Sequence, residues 1–201
     1  MKFGPLPVGE LAGAVLAHTH RLPKREGAKL QVFKKGRVLD AADGAAFEAA
    51  GFTEVIVAVL EPGDVGEDEA ARRLADATMG PGLRAGEAAT GRVNVFAEAD
   101  GLLEVDAEAI DRVNMVHEAL TVATLPARSV VRTGELVATV KVIPFAVPGG
   151  VLERALSRAT QAVRVAPFAA KAAGLVLTRL PGFPESLLDR ASQSQRERLA
   201  R

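Results

Sequence analysis

The stretch from Lys34 to Leu60, KKGRVLDAADGAAFEAAGFTEVIVAVL, predicts a turn, a short helix, a glycine stop and an apolar strand. Asp40 is a favourable N-cap, and Asp43 makes an acidic variant of the capping box. Gly51 ends the helix because glycine adopts the left-handed conformation without a Cβ clash. The run EVIVAVL at residues 54–60 is apolar and β-branched, as expected of a strand covered on both faces. The stretch therefore predicts an α/β unit.

The composition indicates a globular protein with a hydrophobic core and balanced charge. The 201 residues suggest one large or two small domains, and 48% of them are hydrophobic, which is enough for a core. The 25 basic and 25 acidic residues balance, so we predict neither nucleic acid nor a membrane as partner. The absence of cysteine excludes disulfides and thiolate metal sites. The beginning of the sequence, MKFGPLPVGEL, does not resemble a signal peptide, and we predict a cytoplasmic protein.

Two more helices are predicted in the first part of the chain. Residues 8–17 space their apolar side chains on one helical face. Residues 67–78 form a helix that begins with acidic residues, and Asp64 with Glu67 repeats the capping pattern. The alternative is that the acidic residues bind Mg²⁺ through oxygen ligands, but capping explains all of them and we prefer it. The acidic residues are Asp64, Glu67, Asp68 and Glu69.

After a glycine-rich loop at residues 80–86 the pattern becomes rich in strands. Strands are predicted at residues 92–97, 101–105, 119–124, 129–131 and 136–143, and helices at residues 106–116 and 150–161. The last part of the chain reopens an α/β pattern, with a buried type of strand at residues 174–180 and a helix at residues 185–200. Because one strand and one helix cannot form a doubly wound domain, we expect the chain to stop inside a second domain, or its last helix to pack on a partner.

Our candidate ligand-binding residues are Thr90, Gly91, Arg92 and Asn94 of the stretch TGRVN, together with Lys141. Glycine permits close backbone approach, Thr and Asn can hydrogen-bond a ring edge or a phosphate, and Arg offers a bidentate fork to a phosphate. The alternative for TGRVN is a loop-to-strand transition with its arginine in solvent. Lys141 is either a charge on a sheet edge, which we prefer, or a ligand for an anion.

Other polar residues have structural explanations that we prefer. The basic loop around Pro23 and Gly27 could clamp a phosphate, but a solvated loop is simpler, and the same holds for the KKGR turn. Asn114 could face a cleft, but capping of a helix C-terminus explains it as well. No Ser/His/Asp grouping, GxGxxG or Walker loop is present, so we name no catalytic residue and no metal ligand.

Several of these stretches resemble a known family. PLPVGELAGAVLAH at residues 5–18 resembles the opening of the MoeA-type molybdopterin molybdotransferases, and the stretch at residues 34–62 resembles the segment that leads that family into its molybdopterin-binding α/β domain. The chain is more similar to a smaller bacterial group of molybdopterin-binding proteins that often carry a nucleotidyltransferase domain. The shared landmarks are LEPGDVGEDEAA at residues 60–71, TGRVN at residues 90–94, ATLP at residues 123–126 and ATVKVIPFAVP at residues 138–148.

The resemblance implies a fold and a function. It implies an α+β class, with a MoeA-like N-terminal α/β unit at residues 1–80, a β-rich segment at residues 81–170 and the start of a molybdopterin-binding α/β domain at residues 171–201. The function implied is binding of molybdopterin, or its nucleotide form, in cofactor biosynthesis or insertion, with this chain as the binding and dimerisation part. Arg179 and Leu180 stand where the family has Gly-Asp, so we expect that this chain alone is not a complete molybdotransferase. The alternative is a non-catalytic scaffold or oligomerisation module of a larger enzyme.

Overall fold

The computed structural model describes residues 1–22 and 30–199, and these form an α+β fold. The chain divides into two units, Met1–Phe168 and Ala169–Arg201. The strands of the first unit are β1 (Lys2–Pro7), β2 (Val15–Leu16), β3 (His20–Leu22), β4 (Gln31–Phe33), β5 (Glu54–Val59), β6 (Asp64–Gly66), β7 (Leu83–Ala85), β8 (Arg92–Ala97), β9 (Gly101–Val105), β10 (Leu120–Thr124), β11 (Val130–Val131), β12 (Leu136–Val142), β13 (Ala146–Pro148) and β14 (Val163–Pro167). Its helices are α1 (Ala41–Ala49), α2 (Glu67–Thr78), α3 (Ala107–Asn114) and α4 (Gly149–Ala159).

The first hydrophobic core lies between α1 and an antiparallel sheet of order β1-β5-β2. The predicted capping box is confirmed, because the Asp40 carboxylate accepts from the Asp43 N–H at 2.8 Å and the Asp43 carboxylate accepts from the Asp40 N–H at 3.2 Å. Gly51 follows the helix with a φ of 87°, as predicted. Phe47 is fully buried at the centre, with its ring 5.0 Å from that of Phe33. The strand at residues 54–59 is also confirmed, but both of its neighbours run antiparallel to it.

The second core is built from two sheets and three helices. A four-stranded antiparallel sheet has the order β10-β12-β8-β7, and a three-stranded sheet has the order β11-β9-β14. The buried side chains of both sheets share one cluster with α2, α3 and α4. Because α2 packs on β8 and β12, this core begins upstream of residue 80. The predicted strands from residue 92 to residue 143 and the helices capped by Asp106 and following Pro148 are confirmed within two residues at their ends.

Phe145 contacts two residues from the first part of the chain. Its ring stacks on that of Phe3, with 6.2 Å between centroids, and the Lys35 ammonium lies 4.9 Å from its centroid. A short antiparallel pair, β6 and β13, leads into α2 on one side and into α4 on the other. The paired strand β6 ends at Gly66 and α2 begins at the next residue, so the pairing positions the start of the helix that covers the four-stranded sheet.

The predicted helix at residues 8–17 is wrong. Val8–Glu10 forms one 3-10 turn, and β2 follows after a second turn. The backbone here bonds to distant residues instead of along a helix, with the Gly13 N–H donating to Leu39 O at 2.8 Å and the Leu16 N–H to Arg37 O at 2.9 Å. The apolar spacing of the segment reflects burial of Leu11 and Leu16 as the chain crosses the core.

Two further predictions are also wrong. Asp64 does not cap α2, since Gly66 is the N-cap; the Asp64 carboxylate instead contacts the Met1 ammonium at 2.7 Å and accepts from the Glu61 N–H at 2.9 Å. Residues 174–180 form no strand, and their side chains are exposed. In the second unit the only described helix is α5 (Glu185–Leu199), which confirms the helix predicted there. None of the helices in residues 1–22 and 30–199 is long and apolar enough to cross a bilayer.

Candidate functional site

The four-stranded sheet has one covered face and one open face. Along β8, Val93, Val95 and Ala97 are buried against the helix side, whereas the alternate residues point away from it. The same alternation holds on β12, where Val140 and Val142 are buried. We call the solvent-facing side the open sheet face. Its residues are Arg84, Arg92, Asn94, Phe96, Thr121, Ala123, Leu136, Thr139 and Lys141.

Two cations lie opposite each other on this face. The register of β8 and β12 pairs Arg92 with Lys141, and β10 places Thr121 on the other side of Lys141. Arg92 is exposed and Lys141 is half-buried. Neither forms an ion pair with a carboxylate of the described residues. We call Thr121, Lys141 and Arg92 the cationic row.

The prediction that Lys141 sits on a sheet edge is wrong. The strand order β10-β12-β8-β7 places β12 in the interior, with hydrogen-bonded partners on both sides. A lysine on an interior strand cannot turn away over an edge, so its ammonium must reach solvent across the open sheet face. This position brings it beside Arg92, which comes from a part of the chain about fifty residues earlier.

A polar row follows one step along the strands. The register pairs Asn94 with Thr139, and the Thr139 hydroxyl donates to Asn94 Oδ1 at 3.1 Å. This bond satisfies the amide oxygen and leaves the amide NH₂ of Asn94 to donate to another group. Ala123 of β10 completes the row.

An apolar row lies one further step along. Phe96 pairs with Leu136 of β12 and with Arg84 of β7, and the Arg84 guanidinium lies 4.8 Å from the centroid of the Phe96 ring. None of these three residues was predicted from the sequence, because their juxtaposition depends on strand pairing. The alternation of polar and apolar residues in RVNVFA already placed Phe96 on the same face as Arg92, and this was the available signal.

The remaining two predicted residues, Thr90 and Gly91, form the tight turn that leads into β8. Their φ angles are 51° and 70°, and Ala89 and Arg92 exchange both backbone hydrogen bonds across the turn, at 3.0 and 3.1 Å. These are the features of a two-residue hairpin loop. The Gly91 N–H donates to Asp68 Oδ1 at 2.7 Å, so this donor is already used. The structure thus brings together Arg92, Asn94 and Lys141, and places Thr90 and Gly91 at the end of their strand.

The acidic start of α2 lies behind this turn. Burial raises the pKa of the Glu67 carboxyl above its ordinary value, and the charge of Asp68 raises it further while Lys35 opposes the rise. Within the described part of the chain no group of three or more His, Asp and Glu side chains could hold a metal ion. Because Asp64 contacts the Met1 ammonium and Asp68 binds a backbone N–H, these residues do not fit the Mg²⁺ alternative.

Other polar candidates are occupied by structural contacts. Arg37 donates two hydrogen bonds to Asp43, at 2.7 and 2.9 Å, and this ion pair lowers the pKa of the Asp43 carboxyl. Asn114 binds both backbone groups of Val122, at 2.8 and 3.0 Å, and so ties α3 to β10. The basic loop around Pro23 and Gly27 lies outside the described residues.

Comparisons of the chain with protein-family models, with curated proteins and with solved structures found no match. The resemblance to molybdopterin-binding proteins therefore rests on the short motifs quoted above. Two of them, TGRVN and ATVKVIPFAVP, contribute the paired strands β8 and β12 and so supply the cationic row and the polar row.

Proposed function

We propose that the chain binds a phosphate-bearing ligand of the molybdopterin type on the open sheet face. The observation that carries the proposal is the pairing of Arg92 with Lys141 on two interior strands. The motif resemblance supplies the pterin as the ligand class. The chain would act in the cytoplasm as the binding and dimerisation part of a larger system, without a catalytic step of its own.

The electrostatics of the cationic row favour an anion. Like charges directly opposite each other destabilise an antiparallel pair, by a few tenths to about 1 kcal/mol. A phosphate between Arg92 and Lys141 would reverse the sign of this interaction, because each cation then faces an opposite charge. Arg offers two parallel donors and Lys a compact charge, and both suit phosphate oxygens.

The polar row would add hydrogen bonds to the ligand beside the charge interactions of the cationic row. The Asn94 amide and the Thr139 hydroxyl lie about 7 Å from the cationic row, two residues along each strand. An amide NH₂ can donate to a ring nitrogen or a carbonyl oxygen of a pterin. This arrangement gives a ligand one charged end and one hydrogen-bonded middle.

A titration of the purified chain with molybdopterin tests the proposal. We expect saturable binding that Arg92→Ala and Lys141→Ala each weaken by about ten- to a hundredfold, since a hydrogen bond to a charged group contributes about 1.5–3 kcal/mol. Arg154→Ala is the matched control, because Arg154 is exposed and donates to the Gly150 carbonyl of its own helix at 3.0 Å. The affinity of the control should equal that of the wild type.

Two outcomes would contradict the proposal. One is the absence of saturable binding at high micromolar ligand; a stable dimer in sedimentation under the same conditions would then support the scaffold alternative. The other is an equal loss of affinity in Arg154→Ala, which would show that binding follows the total charge and not the cationic row.

A further inference from the structure

We propose that the apolar row is a subsite for a planar heterocycle, so that the ligand carries its phosphate about 13 Å from a flat ring. The distance follows from the four residue-to-residue steps that lead from Arg92 to Phe96 along β8. This inference rests on the proposed phosphate site, and it adds the residues that recognise the other end of the ligand.

The first support is the stacked pair of Arg84 and Phe96. The guanidinium covers the ring at 4.8 Å, and Arg84 is an exposed side chain, so its outer plane faces solvent. A guanidinium over an aromatic ring can extend the surface on which a heterocycle packs, because Arg itself stacks on aromatic faces. The Phe96 ring also packs closely against Gly86, where an added Cβ would lie 3.2 Å from the ring edge.

The second support is an apolar depression on the β10 side of Leu136, and neither Arg84 nor Phe96 lines it. It has a volume of about 190 Å³ and lies between the end of β10 and the start of β12, with Leu125, Leu136 and Thr139 among its lining residues. Leu136 is 45% exposed, although it pairs directly with Phe96. A ring system placed here would cover Leu136 on one side while it contacts the Arg84–Phe96 pair on the other.

Size and charge favour a small molecule over a polymer. The depression is smaller than the roughly 300–1,000 Å³ of sites for drug-sized ligands, so it accommodates one ring system. The chain has a formal net charge of zero, and the open sheet face carries three cations, Arg84, Arg92 and Lys141, whereas a polyanion is held by an extended basic stripe. The order of the rows, cationic then polar then apolar, matches a phosphorylated heterocycle with a polar linker.

Flavin mononucleotide is a suitable probe, because it joins a phosphate to a planar heterocycle through a polar chain. The protein contains no Trp and no Tyr, so flavin fluorescence is measured without aromatic background from the protein. Titrations would compare this probe with riboflavin, which lacks the phosphate, and with inorganic phosphate as a competitor. The variants are Phe96→Leu and Arg92→Gln, with Phe168→Leu as control, since Phe168 is 55% exposed outside the open sheet face.

We expect Phe96→Leu to weaken binding of flavin mononucleotide roughly tenfold, the effect of losing one ring stack. Riboflavin should bind more weakly than the probe and should be insensitive to Arg92→Gln. The affinity of the cationic row for inorganic phosphate, obtained from the competition titration, should be unchanged by Phe96→Leu. If Phe96→Leu lowers the thermal midpoint, Arg84→Ala replaces it, because that exposed residue contributes to the same stack without filling a core.

The two proposals fail in distinguishable ways. If Arg92→Gln weakens the probe and Phe96→Leu and Arg84→Ala do not, the phosphate site stands and the ring subsite is refuted. If the probe binds and no variant changes its affinity, both are refuted. If the probe does not bind although molybdopterin does, the ring subsite is refuted and the phosphate site stands. If a short oligouridylate binds more tightly than the probe and depends on Arg92 and Phe96 alike, the face is a platform for single-stranded nucleic acid and the small-molecule inference is overturned.

Discussion

Gly91→Ala should destabilise the fold far more than the same change at Gly134, although both glycines have positive φ angles, of 70° and 84°. An alanine in this region costs about 1–2 kcal/mol by itself. At Gly134 a Cβ meets nothing within 4 Å, so this cost is the whole effect. At Gly91 a Cβ would overlap the Val142 carbonyl oxygen and lie 2.8 Å from Glu67 Oε2, so the turn must move.

The movement would weaken two hydrogen bonds of 2.7 Å, from the Gly91 N–H to Asp68 and from the Val142 N–H to Gly91 O. At about 1 kcal/mol each, they bring the expected loss for Gly91→Ala to about 3–4 kcal/mol. Urea unfolding followed by far-ultraviolet circular dichroism would measure both variants. Equal losses in the two variants would refute the argument that close packing, and not only the backbone conformation, requires glycine at this turn.

Three further predictions follow from charge. Lys141→Thr should raise the free energy of unfolding by a few tenths of a kcal/mol at low salt and leave it unchanged near 1 M salt, because it removes repulsion from Arg92; a salt-independent gain would contradict this. The pKa of His20 is lowered, first by burial and then by the charge of His18, so protonation favours the unfolded state and stability should fall as the pH drops below about 6.5; His20→Leu should flatten this slope in thermal melts between pH 7 and 5. The pKa of Asp43 is also lowered, so its contribution is complete above the pKa of the unfolded chain and is lost as the pH falls through the folded value; Asp43→Asn should cost about 1–2 kcal/mol at pH 7 and much less at pH 2.

Local signals predicted the helices well. Asp40 directly precedes the first residue of α1 and Gly51 follows its last residue by two positions, so the capping box and the glycine mark both ends of the helix. The segment at residues 8–17 failed for the opposite reason. Its apolar spacing suits a helix, but Leu39 and Arg37 accept the hydrogen bonds that the helix would have used. The spacing of apolar residues within a segment does not reveal hydrogen bonds to distant parts of the chain.

The candidate site was predictable only in part. Sequence pattern placed Arg92, Asn94 and Phe96 on one side of a strand, and Lys141 within another. Lys141 becomes the neighbour of Arg92 through a non-local strand pairing. The sequence of neither strand indicates which strand it pairs with. The failure at Asp64 has a similar origin, because the capping pattern competed with a contact to the ammonium group of Met1, which lies at the start of the chain.

The short pair of β6 and β13 has a consequence for the order of folding. Gly66 pairs with Ala146, eighty positions later in the chain, and each strand has only three residues. Closing a flexible loop of that length costs about 4 kcal/mol of chain entropy, more than three residue pairs return. We expect this pair to form after the intervening strands have already drawn its ends together. Once formed, it sets the starting points of α2 and α4, so the last contacts to be made are the ones that lock the helices onto the finished sheet.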